Sequence, residues 1–444
     1  MSTEPVLLTA AEADARAGGF AVSLAARRVG RGERVLLAVP TYAPGPAADL
    51  ISAVLGALRA GVVPVVLDAA TPARELAEIV ADCTPAWTLT DPDEVADAVR
   101  APGVPQLGPP LGRAMHYTSG TTGRRKGVAS GVLSPEAGAA LWREESDLWG
   151  MTPADVHLVM SPLYHSAPLR FALATLLVGG KVLCAGKFDL DSFAAAAAFR
   201  PTTTFTAPAQ LARLREAGVV PSGFDWIAHA GAPCPEPVKR WLIEAIGAGR
   251  VREFYGSTEG QFTACTGEEW LERPGTVGRA RPGRTLRVDD DGVIWCAVPP
   301  FARFTYWGAP EKTARAWHGD EFSVGDVGRL DDDGYLYLVG RREDLIISGG
   351  VNVYPAEVER VLGELPGVLE VAVFGVDDDR WGQRVEAAVR GSVTEQEVLD
   401  ACAELLPPAR RPKRVHVLDD LPRTSTGKIL RRELSTRRPG PGRP

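Results

Sequence analysis

The run HYTSGTTGRRKGV, residues 116–128, combines three glycines, four Ser or Thr hydroxyls and three cations within thirteen residues. Glycines and β-branched threonines disfavour a helix, and the run is too polar for a buried strand. Glycines let a backbone approach an oxyanion closely, successive N–H groups form an anion-binding concavity, and Lys126 adds a positive charge. This chemistry suits a polyanion such as a phosphate chain.

The spacing of the glycines excludes two known phosphate-binding loops. A Walker loop requires glycine, four residues and then Gly-Lys-Ser/Thr, and the dinucleotide and kinase loops require G-x-G-x-x-G. Gly120, Gly123 and Gly127 fit neither pattern. Taken alone, the run fits a solvated linker equally well, because Gly, Ser, Thr and Lys are also typical of exposed loops.

Four further stretches place a reactive side chain among turn-forming residues. They are PLYHSAP with His165, REFYGSTEG with Glu259, SVGDVG with Asp326 and PRTSTGKILRR with Lys428. Each also has an ordinary structural explanation. A glutamate or lysine in a turn is usually solvated, an aspartate often caps the turn, and a lone histidine is more often a core residue than a catalyst.

The composition favours an ordinary globular protein with two or three domains in 444 residues. A net charge of −7 gives no indication of a nucleic-acid partner, and the arginine-rich end is interpreted as a solvated tail. The first residues carry acids in place of a basic signal-peptide region, and no apolar run reaches the ~18 residues of a membrane span. Six scattered cysteines without C-x-x-C indicate a reducing cytoplasm and no metal site of their own.

The elements that must position these residues follow an α/β pattern. Residues 34–40 and 62–68 are predicted strands around a helix at 50–60, which is a β-α-β unit. After residue 284, TLRVDDDGVIWCAV and GRLDDDGYLYLVG each place an Asp-Gly turn between alternating strands, as antiparallel hairpins do.

The pattern of predicted helices and strands changes again after Gly340. Pro355 is predicted near a helix start, VLEVAVFGV is predicted as a strand, and Thr394 with Glu397 forms a capping box. We therefore predict two domains, residues 1–340 and 341–444, with a charged hinge near 341–344.

Taken together, these stretches resemble the adenylate-forming enzymes, a superfamily of acyl-CoA synthetases, peptide-synthetase adenylation domains and luciferases. The resemblance rests on YTSGTTGRRKG, YGSTEG, GD followed by DGYLYLVGR, and TSTGK, in the family's order along nearly the whole chain. PLYHSAP, AHAGAPCPEPVKRWLIE, EEWLERPGTVGRA and RREDLIISGGVNVYPAEVE are most similar to the fatty-acid and bile-acid type CoA ligases. The resemblance implies an α/β fold with a large N-terminal domain, built of parallel-type sheets flanked by helices plus a β-barrel part. A small mobile α/β C-terminal lid would follow.

The resemblance also implies a role for each matching residue. The β- and γ-phosphates of ATP would be held by Thr118, Ser119, Gly120, Thr121, Thr122 and Lys126. The adenine would lie among Gly231, Ala232, Tyr255 and Gly256, and the ribose would bind Asp326 with Arg341 beside it. The catalytic set would be His165, Thr258 at the α-phosphate, Glu259 as the Mg²⁺ ligand, and Lys428 on the lid. Glu343 would be the hinge residue, and Gly349 and Gly350 would line the pantetheine channel of coenzyme A.

The implied reaction joins a small or medium carboxylic acid to AMP and then transfers the acyl group to the thiol of coenzyme A. Two alternatives stay open: loading of an acyl carrier protein, and activation of a non-carboxylic acid such as nitrite for diazotisation of an arylamine. The chain is shorter than is usual for the family, in the N-terminal region and at residues 284–306. Arg170 stands where a neutral residue is expected, and we interpret it as a cation on the outer face of a helix. An inward Arg170 would instead suit an anionic or polar substrate.

Overall fold

The computed structural model of the protein describes residues 4–103, 108–118, 125–423 and 429–436. Within these ranges, helices α1 to α14 span Ala10–Ala26, Pro44–Arg59, Ala73–Cys83, Pro92–Arg100, Pro135–Trp149, Ser166–Leu177, Leu190–Ala197, Pro208–Glu216, Glu236–Ile246, Gly267–Glu272, Pro310–Ala316, Pro355–Gly363, Glu395–Leu405 and Arg431–Thr436. None of these helices combines the length and the apolar character that crossing a bilayer requires.

The strands are numbered in the same way. Strands β1 to β13 span Val6–Thr9, Arg34–Leu37, Val63–Val66, Trp87–Leu89, His116–Thr118, Lys126–Ala129, Val156–Val159, Lys181–Cys184, Thr203–Thr206, Trp226–His229, Val251–Glu253, Thr263–Thr266 and Arg279–Ala280. Strands β14 to β25 span Thr285–Val288, Ile294–Ala297, Thr305–Tyr306, Trp317–His318, Glu321–Phe322, Asp326–Leu330, Leu336–Arg341, Ile346–Ser348, Val351–Val353, Val368–Asp378, Gly382–Gly391 and Val415–Val417.

Two sheets with parallel strands form the larger part of the molecule. The eight-stranded sheet has the order β1-β8-β7-β9-β10-β11-β12-β13, with β8, β7, β9, β10 and β11 parallel. The three-stranded sheet, β3-β2-β4, is wholly parallel and confirms the predicted β-α-β unit. Helix α2 contacts both sheets, and nearly all of its residues are buried. A helix that is apolar around its whole circumference requires such a position between layers.

Antiparallel sheets occupy the place of the predicted barrel part. The hairpins β14–β15 and β19–β20 are both confirmed, and both use the same turn. Asp289 Oδ1 accepts the backbone N–H groups of Asp291 and Val293, and Asp331 Oδ1 likewise accepts those of Asp333 and Tyr335. The repeated DDDG sequence is therefore one turn solution used twice, because the first aspartate caps the loop through its side chain.

The C-terminal part has a sheet of its own, β22-β21-β24-β23, with β25 beside β24. Helices α12 and α13 pack on it through Val358, Leu362, Val398 and Cys402. The predicted helix start at Pro355 and the capping box of α13 are confirmed. The first strand of this sheet, β21, begins five residues after the predicted boundary at Gly340/Arg341, and the division into residues 1–340 and 341–444 stays a prediction.

Candidate active site

The residues assigned to the ribose lie in direct contact. The hydroxyl of Tyr255 donates to Asp326 Oδ2 at 2.5 Å, and Arg341 Nε lies 3.2 Å from Asp326 Oδ1. Asp326 and Arg341 are cross-strand partners of the β19–β20 hairpin, so the hairpin register brings the two charges together. Burial raises the pKa of Tyr255 well above its usual value, with a further contribution from the carboxylate of Asp326. The phenol is therefore a fixed donor, and Asp326 is held in one place as an anionic acceptor.

The YGSTEG turn between β11 and β12 is closed tightly by its own backbone. The N–H of Ser257 donates to the carbonyl oxygen of Gly260 at 2.8 Å, and Gly256 forms a bridge with Gln261. A Cβ atom on Gly256 would lie 2.7 Å from that carbonyl oxygen, so only glycine fits there. The hydroxyl of Ser257 is buried without a hydrogen-bond partner among the described residues. The turn thus keeps Thr258 at a half-buried position beside a buried hydroxyl that has no described hydrogen-bond partner.

Glu259, the assigned metal ligand, follows in the same turn. The hydroxyl of Tyr306 donates to Glu259 Oε1 at 2.9 Å and fixes the carboxylate. No hydrogen bond from the described residues reaches Oε2. Nowhere in the described ranges do three or more His, Cys, Asp or Glu side chains gather as a metal site. A single fixed carboxylate still fits Mg²⁺, which is commonly held by one or two carboxylates together with substrate phosphates.

Strands β5 and β6 hold the two ends of the predicted phosphate loop. Thr118 and Lys126 stand directly opposite each other in this antiparallel pair, so the loop is closed at its base. Arg125 forms an ion pair with Glu75 of α3, which gives this extra cation of the loop a protein carboxylate as its partner. The remaining assigned members of the loop, Ser119, Gly120, Thr121 and Thr122, lie outside the described residues.

His165 lies at the N-terminus of α6, half-buried, with its ring centroid 4.5 Å from that of Tyr164. Behind it, His116 Nδ1 lies 2.9 Å from the carbonyl oxygen of Tyr164. Burial lowers the pKa of His116 to about 4, so this second imidazole is neutral at pH 7. Gly231 and Ala232, assigned to the adenine, follow β10 in an exposed segment, and Gly231 has a φ of +92°.

Gly349 and Gly350 form the two-residue turn of the β21–β22 hairpin. Both have positive φ, +58° and +80°, as the central residues of a type I′ turn must. The N–H of Gly349 donates to the carbonyl oxygen of Trp381 at 2.8 Å, and an added Cβ would lie 2.8 Å from the Trp381 ring. No hydrogen bond among the described residues joins this turn to Tyr255, Asp326 or Glu259. Lys428 and the side chain of Glu343 lie outside what the structure describes.

The interpretation of Arg170 as an outward-facing cation is wrong. Arg170 is buried on α6, its Nε lies 2.9 Å from Glu145 Oε1, and its guanidinium lies 5.7 Å from the ring centroid of Phe254. Helix α6 is apolar around its circumference, because both of its sides face protein, and this leaves no outer face for a charge. Glu145 precedes Arg170 by 25 positions, so no local sequence pattern indicates the pair.

Sequence reasoning also missed two residues at the site. Tyr306, which fixes Glu259, stands 47 residues further along the chain in a short strand, and nothing in its neighbourhood marks it. Gln261 is buried and accepts a hydrogen bond from Arg281 Nη1. Its position directly after the YGSTEG motif is a signal that could have identified it.

Replacing Asp326 with asparagine is expected to weaken AMP binding about 10- to 100-fold, since hydrogen bonds to a charged group contribute roughly 1.5–3 kcal/mol. Isothermal calorimetry with AMP measures this change. Asp332→Asn is the matched control, because Asp332 is exposed in the turn of the same hairpin. An AMP affinity equal to that of the control would contradict the assignment of Asp326 to the ribose.

Comparison with known proteins agrees with this geometry. The family model of the AMP-binding enzymes matches residues 2–113 and 113–295, and the model of their C-terminal domain matches residues 357–428. The 2-succinylbenzoate–CoA ligase of Bacillus anthracis (strain A0248) is 35% identical over 338 residues, which cover 72% of this chain and 68% of that protein.

Solved structures agree over almost the whole length. ATP-bound MatB from Rhodopseudomonas palustris is 31% identical and superposes with a TM-score of 0.83, covering 96% of this chain and 93% of that one. The o-succinylbenzoate CoA synthetase MenE from Bacillus subtilis, in complex with the acyl-adenylate OSB-AMP, is 27% identical, with a TM-score of 0.84 and coverage of 97% and 94%. These relatives do not single out the fatty-acid and bile-acid type. The chain belongs to the AMP-binding enzymes of the adenylate-forming superfamily, and it is an AMP-forming acid–CoA ligase.

Proposed function

We propose that the protein activates a small or medium carboxylic acid with ATP as an acyl-adenylate and then transfers the acyl group to the thiol of coenzyme A. The observation that carries this proposal is the contact of Tyr255 and Arg341 with Asp326, beside the closed YGSTEG turn. A buried, fixed carboxylate suits the two ribose hydroxyls, and the glycine at position 256 allows the turn beside it to close on its own backbone.

The chemistry of the first half-reaction explains the residue types in the proposed site. An acid carboxylate that attacks the α-phosphorus brings two anions together, so cations and donors must face the reacting atoms. Lys126 at the base of the loop, Thr258 in the turn and Lys428 on the lid would supply them. Mg²⁺, when bound at Glu259, neutralises further charge on the phosphates. His165 at the start of α6 would border the acid.

The second half-reaction needs a different surface of the lid, because a dry, lysine-sealed site does not admit a thiol. We infer a lid, residues 341–444, that rotates about 341–344 at Glu343 and presents Lys428 first and the Gly349–Gly350 turn second. One comparison supports a change of conformation between the ATP-bound and apo states of a relative. The chain superposes on ATP-bound MatB with a TM-score of 0.83 and on apo MatB with 0.73, although both alignments cover 96% of it.

The proposal also concerns the identity of the acid substrate and of the acyl acceptor. The relatives named for 2-succinylbenzoate and the similarity to a fatty acyl CoA synthetase of Mycobacterium tuberculosis support different acids. Coenzyme A is favoured as the acceptor over an acyl carrier protein, and a carboxylic acid over nitrite, because the Bacillus relatives named above are CoA ligases. The cytoplasmic location inferred from the scattered cysteines stays a prediction.

Pyrophosphate release across a panel of acids, with and without coenzyme A, tests the function. We expect release to depend on a carboxylic acid and on Mg²⁺, and a thioester to form only when coenzyme A is present. Pyrophosphate release that does not depend on coenzyme A but requires nitrite and an arylamine would instead establish diazotisation. Acyl transfer to a carrier protein in preference to coenzyme A would establish the carrier-loading alternative.

A further inference from the structure

A group of buried and half-buried charged side chains lies beside the YGSTEG turn and includes none of the residues assigned to ATP. We call it the arginine cluster, and its members are Arg113, Arg170, Arg281, Arg284, Glu144 and Glu145. They come from the segment before β5, from α5 and α6, and from the segment between β13 and β14. The side chains of Arg281 and Arg284 are only 3% and 5% exposed. Arginines are almost never buried to this extent unless their charge is compensated.

The carboxylates of the cluster do not balance its arginines. Arg284 takes both oxygens of Glu144, while Glu145 is shared between Arg170 Nε at 2.9 Å and Arg281 Nη2 at 3.4 Å. Arg113 donates to the carbonyl oxygen of Ala302 at 3.2 Å. Four arginines therefore face two glutamates, an excess of two positive charges. The segments outside the described ranges contain no Asp or Glu, and the one carboxylate within those ranges whose side chain is not described is Glu343.

The electrostatics of the cluster agree with this count. Burial lowers the pKa of Arg113 and of Arg281 to about 10, so both guanidinium groups still carry their charge at neutral pH. Burial alone would raise the pKa of Glu145, but Arg170 and Arg281 hold it below its usual value. Glu145 is therefore already a full anion, and protonation changes at neutral pH do not remove the imbalance.

Several donors in or beside the cluster have no acceptor within the described part of the chain. Arg281 Nε, Arg284 Nε and Gln261 Nε2 are buried and have no hydrogen-bond partner among the described residues. An enclosed cavity of about 20 Å³ lies among these side chains, with Leu141, Val298 and Ala302 as its apolar wall. A cavity of this size holds about one water-sized group, such as one oxygen atom of a carboxylate. Buried, charged donors around a small cavity suit the oxygen atoms of an anion.

The cluster adjoins the site where the acid reacts. Gly260 and Gln261 line its cavity and directly follow Glu259, and Arg170 stands on α6 five residues after His165. We propose that the arginine cluster binds a second anionic group of the acid, so that the substrate is a dicarboxylic acid. This inference rests on the proposed function, because the first carboxylate must react at the YGSTEG turn. A monocarboxylic acid would leave the excess positive charge buried and uncompensated, which is strongly unfavourable.

The test compares acids that differ only in the second carboxylate. One pair is 2-succinylbenzoate and 3-benzoylpropionate, which lacks the ring carboxylate, and a short pair is succinate and its monoamide. The second member of each pair keeps the reacting carboxylate, and we call it the neutral partner because it has no second charge. For one of the two pairs we expect the parent protein to prefer the diacid in kcat/KM for pyrophosphate release. Arg170→Met should lower the diacid value about 10- to 100-fold, the range expected for lost hydrogen bonds to a charge. It should leave the neutral partner within about threefold.

Two further variants separate this role from a structural one. Arg170→Lys keeps the charge without the planar fork and should recover part of the diacid preference. Arg287→Met removes an exposed arginine three positions after Arg284 and should change neither acid. The proposal would be overturned if Arg170→Met lowered kcat/KM equally for the diacid and its neutral partner. It would also be overturned if the parent protein preferred the neutral partner in both pairs.

A binding measurement keeps the inference testable if the parent protein activates none of the acids. Calorimetry then compares the binding affinities of each diacid and its neutral partner. Tighter binding of a diacid, lost in Arg170→Met, supports binding of the second carboxylate by the cluster. If chloride displaces the diacid and binds parent and Arg170→Met alike, or if no diacid binds more tightly than its partner, the cluster holds no substrate carboxylate. Absent pyrophosphate release with retained diacid binding would instead count against the proposed function.

Discussion

Replacing Lys428 with alanine is expected to slow the formation of acyl-adenylate from acid and ATP about 10²–10³-fold, or roughly 3–4 kcal/mol, the cost typical of losing one preorganised charge at a reacting centre. The same variant, supplied with synthetic acyl-adenylate and coenzyme A, should form thioester at close to the parent rate. The reason is that the negative charge which Lys428 would offset builds only at the α-phosphate, in the first half-reaction. The discriminating quantity is the ratio of the two half-reaction rates.

The control for Lys428 is another cation of the same part of the chain. Arg360 lies on α12, pairs with Glu364 one turn away and is 69% exposed, so Arg360→Ala should change neither half-reaction. Misfolding would depress both rates alike. Equal losses in the two assays, with Arg360→Ala unaffected, would contradict the rotating lid and leave Lys428 as a structural cation.

Elements defined by local patterns could be predicted from the sequence. The β-α-β unit around α2, the two DDDG hairpins and the capping box of Thr394 and Glu397 each depend on residues a few positions apart. The resemblance placed Arg341 beside Asp326, and the register of the β19–β20 hairpin explains that contact. The hydrogen bond between Tyr255 and Asp326, 71 positions apart, is seen only in the structure, because the resemblance assigned Tyr255 to the adenine and no periodicity connects the two residues.

Contacts between distant, unremarkable residues could not be predicted. Tyr306 fixes Glu259, and Arg281 reaches back to Glu145 across 136 positions. Neither pair lies within one motif, and the sequence separation of the two residues does not correspond to the periodicity of a helix or a strand. Arg170 shows the physical reason. A charged residue within an apolar helix is expected to face solvent, because burial of an unpaired charge is unfavourable. Arg170 is buried because Glu145 on α5 pairs with it.

Replacing Gly349 with leucine is expected to lower the rate of thioester formation about 10²-fold or more, because a 1 Å displacement at a reacting centre already costs about that factor. Formation of acyl-adenylate should be unchanged. In the structure an added Cβ lies 2.8 Å from the ring of Trp381, so the new side chain must displace that ring or project from the turn. Trp381 is 40% exposed, which leaves it room to move without unfolding the sheet. Bound acyl-adenylate should accumulate when ATP and acid are supplied together.

Backbone strain is the competing explanation, since leucine in the left-handed region costs roughly 1–2 kcal/mol at any position. Gly334→Leu separates the two effects. Gly334 has a φ of +80° in the β19–β20 turn with open space around it, so it imposes the strain without an obstruction near Trp381. If Gly334→Leu and Gly349→Leu lose thermal stability equally and only Gly349→Leu loses thioester formation, the β21–β22 turn borders the path of the thiol. Unimpaired transfer in Gly349→Leu would mean that the acceptor enters elsewhere, and would favour the alternatives to coenzyme A.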